Sequence, residues 1–131
     1  MSETIPQEFW QGIELFNTGK FYACHDTLEA LWMESTEPDK SFYQGILQIS
    51  VALYHLGNGN LKGAIILLGE GSNRLARYPS VYSQVDVDEL LEQSIGLLKV
   101  LQQKQLEQID SSSLEADTLP LPRIVIVEEN G

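Results

Sequence analysis

The chain has 131 residues, a formal net charge of −11, 43% hydrophobic residues and a single cysteine. A chain of this length forms one domain, and this apolar fraction is typical of a folded globular protein rather than a disordered one. Its 19 acidic against 8 basic residues would repel a phosphate backbone, so we expect neither nucleic acid nor a membrane surface as a partner.

The cysteine content and the first residues indicate the compartment. Cys24 has no second cysteine with which to form an internal disulfide, which fits a reducing environment. The start, MSETIPQEFW, lacks the basic region and apolar run of a secretory signal. The longest apolar stretch, residues 45–57, is interrupted by Gln48 and His55 and is too short to span a bilayer. We therefore expect a cytoplasmic protein.

Apolar periodicity predicts an all-α fold, a compact bundle of about five helices made of two helical hairpins and a C-terminal helix. The third helix is apolar around most of its circumference, so it is expected to be central. Glycines in the fourth, among them Gly69 and Gly71, indicate a close helix approach or a local distortion. In the last helix Leu91, Ile95 and Leu98 form the expected apolar stripe. The predicted helices span about residues 6–19, 20–34, 38–56, 61–78 and 86–109.

The last part of the chain reads as an extended C-terminal arm. Residues 110–118 resemble a linker, and LPLPRIVIVEENG then combines two prolines with four β-branched residues in a row. A lone strand in a helical protein has no sheet to join. The arm therefore docks in a groove of its own domain, pairs with another chain in a homodimer, or stays mobile. We favour docking, and divide the chain into a helical domain, 1–109, and a linker with arm, 110–131.

The chain also contains a weak internal repeat. TGKFYACHDTLEAL and NGNLKGAIILLGEG align at a spacing of 40 residues, which matches Gly19 with Gly59 and Leu28 with Leu68. Both segments begin a helix after a glycine turn, as tetratricopeptide repeats do, although those normally have a period of 34. Because a solenoid needs at least three repeats, this pattern favours two packed hairpins instead.

The second helix carries the most informative polar residues. His25, Glu29 and Trp32 follow each other at i, i+4 and i+7, so they project towards one side of the helix. A carboxylate at this spacing can orient the imidazole, and two such side chains can hold a divalent metal ion. An ordinary hydrogen bond beside a packed tryptophan is the alternative. Cys24, by contrast, is expected to be a small core residue.

A second polar stripe lies on the third helix. Projected at 100° per residue, Gln44, Gln48 and His55 fall within about 40° of one another. If this stripe faces His25 and Glu29, the interior contains a polar network that must be well satisfied. If it faces water, it is the exposed side of the third helix. The sequence leaves both arrangements open.

The segments GKFYACHDTLEALW and FYQGILQISVALYHLGNGNLKGAIILL together resemble the bacterial and archaeal domain of unknown function 309. The hallmark of that family is His-x-x-x-Glu-x-x-Trp or Tyr, which corresponds here to His25, Glu29 and Trp32. The resemblance covers roughly residues 8–79 and departs from the family pattern at Asp26, where members usually have Glu. It implies a small all-helical fold and a suggested role of the motif in metal binding, without a substrate.

Two functions are compatible with these patterns. In the first, the protein binds a small ligand or a divalent metal ion, with His25 and Glu29 as first ligands and His55 as a third. In the second, it is a non-catalytic protein interaction module with tetratricopeptide-like hairpins, in which His25 and Glu29 form a structural hydrogen-bond network. No catalytic residue is assigned. The residues expected to support the polar site are Trp32, Gln44 and Gln48.

Overall fold

A computed structural model of the chain describes residues 5–107 and 119–128, and the predicted linker, 110–118, lies outside them. The predicted all-helical bundle is confirmed, with one small addition, a two-stranded sheet between the fourth and fifth helices. The elements are α1 (Gln7–Asn17), α2 (Phe21–Glu34), α3 (Asp39–Gly57), α4 (Leu61–Leu75), β1 (Val81–Tyr82), β2 (Val85–Asp86) and α5 (Val87–Leu106). Among the described residues, no helix carries an apolar stretch of the length that a bilayer crossing requires.

The first four helices form two hairpins with equivalent turns. Gly19 and Gly59 have φ angles of 79° and 77°, a left-handed conformation that glycine adopts without steric cost and that commonly ends helices. The next helix starts after Lys20 in the first hairpin and after Asn60 in the second, where the Asn60 side chain accepts a hydrogen bond from the Gly63 amide. The 40-residue repeat therefore corresponds to a repeated helix–turn–helix unit.

Helix α3 is central, as its apolar circumference predicts, because it packs against both α2 and α4. Its N-terminal part also contacts α1, where the Phe9 ring lies 6.1 Å from that of Phe42 and 5.4 Å from that of Tyr43. Burying side chains of this size contributes on the order of 1.5 to 3 kcal/mol each. The largest fully buried side chains are Phe9, Phe16, Leu28, Phe42, Ile46, Ile49, Leu68, Leu75, Val85, Leu90, Leu97 and Leu101.

The predicted close approach in α4 occurs at Gly71. A Cβ atom at this position would lie 2.8 Å from the carbonyl oxygen of Gly45 in α3 and equally close to Ile49. Gly69 is different, since a Cβ there would meet only Leu98 of α5, at 3.9 Å. Gly71 therefore allows the close contact between α3 and α4, whereas a Cβ atom at Gly69 would fit without a clash.

The sheet was missed by the sequence analysis. β1 pairs with β2 in antiparallel register, Tyr82 opposite Val85, through a two-residue turn in which Ser83 and Gln84 both have positive φ. Two consecutive positive φ angles are characteristic of the type I′ hairpin turn, whose usual sequence signal is Asn-Gly. The segment YSQV lacks that signal. The prediction that an extended arm has no sheet to join is wrong, because Ile126 of the arm forms a bridge with Val85 of β2.

The described part of the arm lies against this hairpin and against α1. Ile126 forms an antiparallel bridge with Val85, and the amide of Asp86 donates to the carbonyl of Val125 at 2.9 Å. At α1, the Asn17 side chain accepts from the Ile124 amide at 2.8 Å and donates to its carbonyl at 2.9 Å. These contacts agree with the alternative in which the arm docks on its own domain. Pairing of the arm with a second chain stays a prediction, as does the domain boundary at residue 109.

One expected apolar stripe is wrong by a single position. The buried residues of α5 include Leu90, Ser94 and Leu97, whereas Leu91 and Leu98 are only half-buried. Because Ser94 interrupts the true stripe with a polar residue, the neighbouring stripe looked more apolar in the sequence. The N-cap of α5 is Asp86, whose side chain accepts a hydrogen bond from the Glu89 amide.

Candidate functional site

Three polar residues of α2 lie close together on its outer surface. The Nε2 atom of His25 is 3.3 Å from an Oε atom of Glu29, and its Nδ1 atom is 3.3 Å from an Oδ atom of Asp26. The side chains of His25, Asp26 and Glu29 are 27%, 61% and 50% exposed. The imidazole therefore lies between two carboxylates, and each pair becomes an ion pair when His25 is protonated.

The exposure of these residues limits how much they can contribute to the stability of the fold. Ion pairs and hydrogen bonds on a helix surface contribute about 0.2 to 1 kcal/mol, because water competes for both partners. A structural network would instead bury the imidazole and the carboxylate and satisfy them internally. The geometry of His25 and Glu29 is that of a solvent-accessible pair, so little of the fold's stability depends on it.

Two tyrosines continue this surface from α2 to α3. The Tyr22 ring lies 6.2 Å from the His25 ring and 5.3 Å from the Tyr54 ring, measured between centroids. Tyr22 is 58% exposed and Tyr54 is 39% exposed, so both rings present part of their surface to solvent. We use the term aromatic–acidic face for the surface formed by Tyr22, His25, Asp26, Glu29 and Tyr54.

The sequence analysis did not include Tyr22, Asp26 or Tyr54 in the site. The signal for the first was present, since Tyr22 stands three residues before His25 on the same side of the helix. Tyr54 carried no such signal, because only the packing of α2 against α3 brings the two tyrosine rings together. Asp26 was noticed only as a departure from the family pattern.

Trp32 lies towards the other end of α2 and faces the start of α3. Its ring is half-buried, and the Lys40 ammonium lies 4.5 Å from the ring centroid, a distance at which a cation is attracted to the negative face of the ring. Its indole N–H is buried without a hydrogen-bond partner. Trp32 thus mainly joins α2 to α3, while His25 and Glu29 remain accessible.

The polar residues of the predicted stripe on α3 have different neighbours. The Gln48 side chain accepts a hydrogen bond from Arg74 of α4 at 3.2 Å. At the α3–α4 turn, the Nδ1 atom of His55 lies 3.4 Å from the side-chain Nδ2 atom of Asn60. Gln44 is half-buried. Neither Gln48 nor His55 therefore extends the contacts of His25.

No group of three His, Cys, Asp or Glu side chains within residues 5–107 and 119–128 is arranged to hold a metal ion. His25 and Glu29 are brought together as the sequence predicts, but His55 does not join them. Metal binding by the pair itself stays a prediction.

Cys24 is excluded as a nucleophile by its surroundings. The side chain is buried in the core, and burial raises the pKa of the thiol to about 12, although a hydrogen bond with Ser50 partly opposes that shift. A thiol with this pKa is protonated at neutral pH, whereas nucleophilic cysteines act as thiolates. Cys24 is thus a core residue.

Comparison with known proteins finds a family that resembles part of the chain. Residues 9–67, which include α2, α3 and the whole aromatic–acidic face, match the sequence profile of the family described as "Domain of unknown function (DUF309)". This segment, which is less than half of the chain, is similar to that family. The match ends within α4, before the point near residue 79 to which the sequence resemblance extends, so α5, the sheet and the arm lie outside it.

Two relatives have no assigned function. The chain is 29% identical over 111 residues to "Uncharacterized protein YpuF" of Bacillus subtilis (strain 168), an alignment that covers 83% of this chain and 60% of that protein. It is 26% identical over 89 residues to an "Uncharacterized protein" of Aquifex aeolicus (strain VF5), which covers 65% and 27%. The chain thus spans less than two thirds of either relative.

Proposed function

We propose that the protein is a non-catalytic protein interaction domain that binds its partner through the aromatic–acidic face. The exposure of the face carries the proposal: two large aromatic rings and two carboxylates lie together on the surface of a bundle whose core is complete without them. Accessible aromatic residues are enriched where proteins bind each other. The paired helical hairpins supply a rigid support for such a surface.

Catalysis receives less support from the same residues. The thiol in this region is buried and protonated, and the nearest polar partners of the His25 imidazole are two carboxylates, each 3.3 Å away. A nucleophile and its base must lie within hydrogen-bond reach of each other. The polar groups of the face are therefore suited to recognition.

Capture of partners with matched variants tests the proposal. The face variant is Tyr22→Ala with Glu29→Gln, and the control is Ile66→Ala with Glu70→Gln, which makes the same kinds of change on the exposed side of α4. We expect a protein from the native cell extract to be retained by the wild-type chain and the control and lost with the face variant. Identical capture by all three would exclude the face.

A metal site is the second candidate, favoured by one distance. Two ligands of a tetrahedral zinc ion with bonds of about 2.0 to 2.1 Å lie roughly 3.3 Å apart, and the nearest nitrogen and oxygen of His25 and Glu29 are 3.3 Å apart. Such an ion would need its remaining ligands from water or a partner. A rise in Tm with zinc that His25→Ala abolishes would support it, and an unchanged Tm would count against it.

A further inference from the structure

The tyrosine pair of the aromatic–acidic face adjoins an apolar cavity. The cavity has a volume of about 270 Å³ and lies where the turn after α1, the end of α3 and the arm meet. Tyr54 belongs to both features, since it lines the cavity together with Phe21, Leu53 and Leu121 and also contacts Tyr22. An apolar cavity of about 150 Å³ is large enough for benzene. This one is open to solvent and has room for one large apolar side chain.

The charged side chains within α2 beside the tyrosine pair are acidic. Helix α2 contains three carboxylates and neither lysine nor arginine, and two of these carboxylates, Asp26 and Glu29, follow Tyr22 on the exposed side of the helix. The negative faces of exposed aromatic rings attract ammonium and guanidinium groups, and nearby carboxylates strengthen that attraction. The contact of Lys40 with Trp32 is an example of the same interaction within the molecule.

The geometry points to a basic protein segment as the partner of this face: a Lys or Arg side chain lies on the Tyr22–Tyr54 pair beside the carboxylates, and a neighbouring large apolar side chain enters the cavity next to Tyr54. This inference rests on the proposed function and specifies the chemistry of its partner. Nucleic acid and anionic lipid are disfavoured by the same charges, because both would be repelled by Asp26 and Glu29.

The cavity also gives the arm a role. Leu121 of the arm forms part of the cavity wall, and two hydrogen bonds between the Asn17 side chain and the Ile124 backbone hold the arm in place. A side chain entering the cavity would therefore contact both the helices within residues 9–67 and the C-terminal arm. Substituting Leu121 by Ala should weaken binding of the apolar side chain and leave the contribution of the basic side chain unchanged.

Selection from a random peptide library displayed on phage tests the inference. The full-length wild-type chain serves as bait, and the face variant, Tyr22→Ala with Glu29→Gln, removes phage that bind elsewhere. We expect the enriched peptides to combine Lys or Arg with a large apolar residue nearby. Enriched peptides without Lys or Arg that still require Tyr22 would overturn the inference and leave the proposed function supported. No enrichment over the face variant would also overturn it, and the proposed function would then depend on the capture experiment.

Affinities of an enriched peptide then separate the contributions. Using fluorescence anisotropy, we expect Glu29→Gln and Tyr54→Ala each to raise Kd roughly three- to tenfold, from the loss of a charge-assisted or cation–π contact. The matched controls Glu70→Gln and Ile66→Ala should leave Kd unchanged. Added salt should raise Kd for the basic peptide and have little effect when each Lys and Arg is replaced by a neutral residue. Equal Kd values for face and control variants would contradict the assignment.

Discussion

The two helical hairpins have the same turns, but their second helices have different outer surfaces. At the spacing of 40 residues, His25 and Glu29 of α2 correspond to Ile65 and Gly69 of α4. Ile65 packs against the core, and Gly69 lies near Leu98 of α5, because α5 covers α4. Glu29, at the position equivalent to Gly69, is half-exposed. The two repeats therefore share a backbone arrangement, and the difference in covering leaves polar and aromatic groups of α2 exposed.

The largest expected effect tests what the hairpins share. Leu28 and Leu68 occupy equivalent positions and are both fully buried. Leu28→Ala and Leu68→Ala should each lower the free energy of unfolding by about 2 to 5 kcal/mol, through lost burial and a residual cavity. Urea denaturation measures both. A loss below about 1 kcal/mol at either position would show that the two helices are not equivalent in the core.

Substitutions at two glycines of α4 should have opposite signs. Gly71→Ala places a Cβ atom against the backbone of α3 and should destabilise the protein by roughly 1 to 3 kcal/mol. Gly69→Ala has ordinary space and should stabilise it by about 0.5 to 1 kcal/mol, because alanine is the better helix former. Tm values of the two variants are the measurement, and a destabilised Gly69→Ala would contradict the space seen beside α5.

The buried thiol of α2 predicts a dependence of stability on pH. Because burial raises the pKa of Cys24 from 9.0 to about 12, its contribution to stability is complete below pH 9 and is lost as the pH rises from 9 towards 12. In that range the free energy of unfolding of the wild type should fall by up to about 1.4 kcal/mol per pH unit more than that of Cys24→Ala. Urea denaturation at a series of pH values measures the difference, and parallel curves would show that the thiol is not buried.

The smallest expected effect concerns the exposed pair. Replacing His25 by Ala and Glu29 by Gln together should lower the free energy of unfolding by less than about 1 kcal/mol, because surface pairs contribute little. The control is Ile66→Ala with Glu70→Gln, which should behave similarly. A loss of 3 kcal/mol or more in the first variant alone would indicate the structural network that the sequence also allowed.

The sequence was sufficient for the helices and insufficient for the surroundings of α3. Local sequence patterns are enough to predict the positions of the helices and turns such as that at Gly59. They also predict that His25 and Glu29 are neighbours, because that depends only on helix geometry. Which side of α3 faces α2 and which faces α4 is decided by packing between helices, so the separation of Gln48 from His25 could not be predicted. The β hairpin was missed because Ser83 and Gln84 adopt positive φ without the usual glycine or asparagine.

The aromatic–acidic face and the outer side of α4 can be compared directly in living cells. An aromatic photo-crosslinking amino acid, which keeps a ring at the substituted position, replaces Tyr22 in one chain and Ile66 in another. Both positions are at least half exposed, and each chain is irradiated in its native cells. We expect a discrete protein adduct from position 22 and none from position 66. The absence of an adduct at position 22, or the same adduct from both positions, would contradict it.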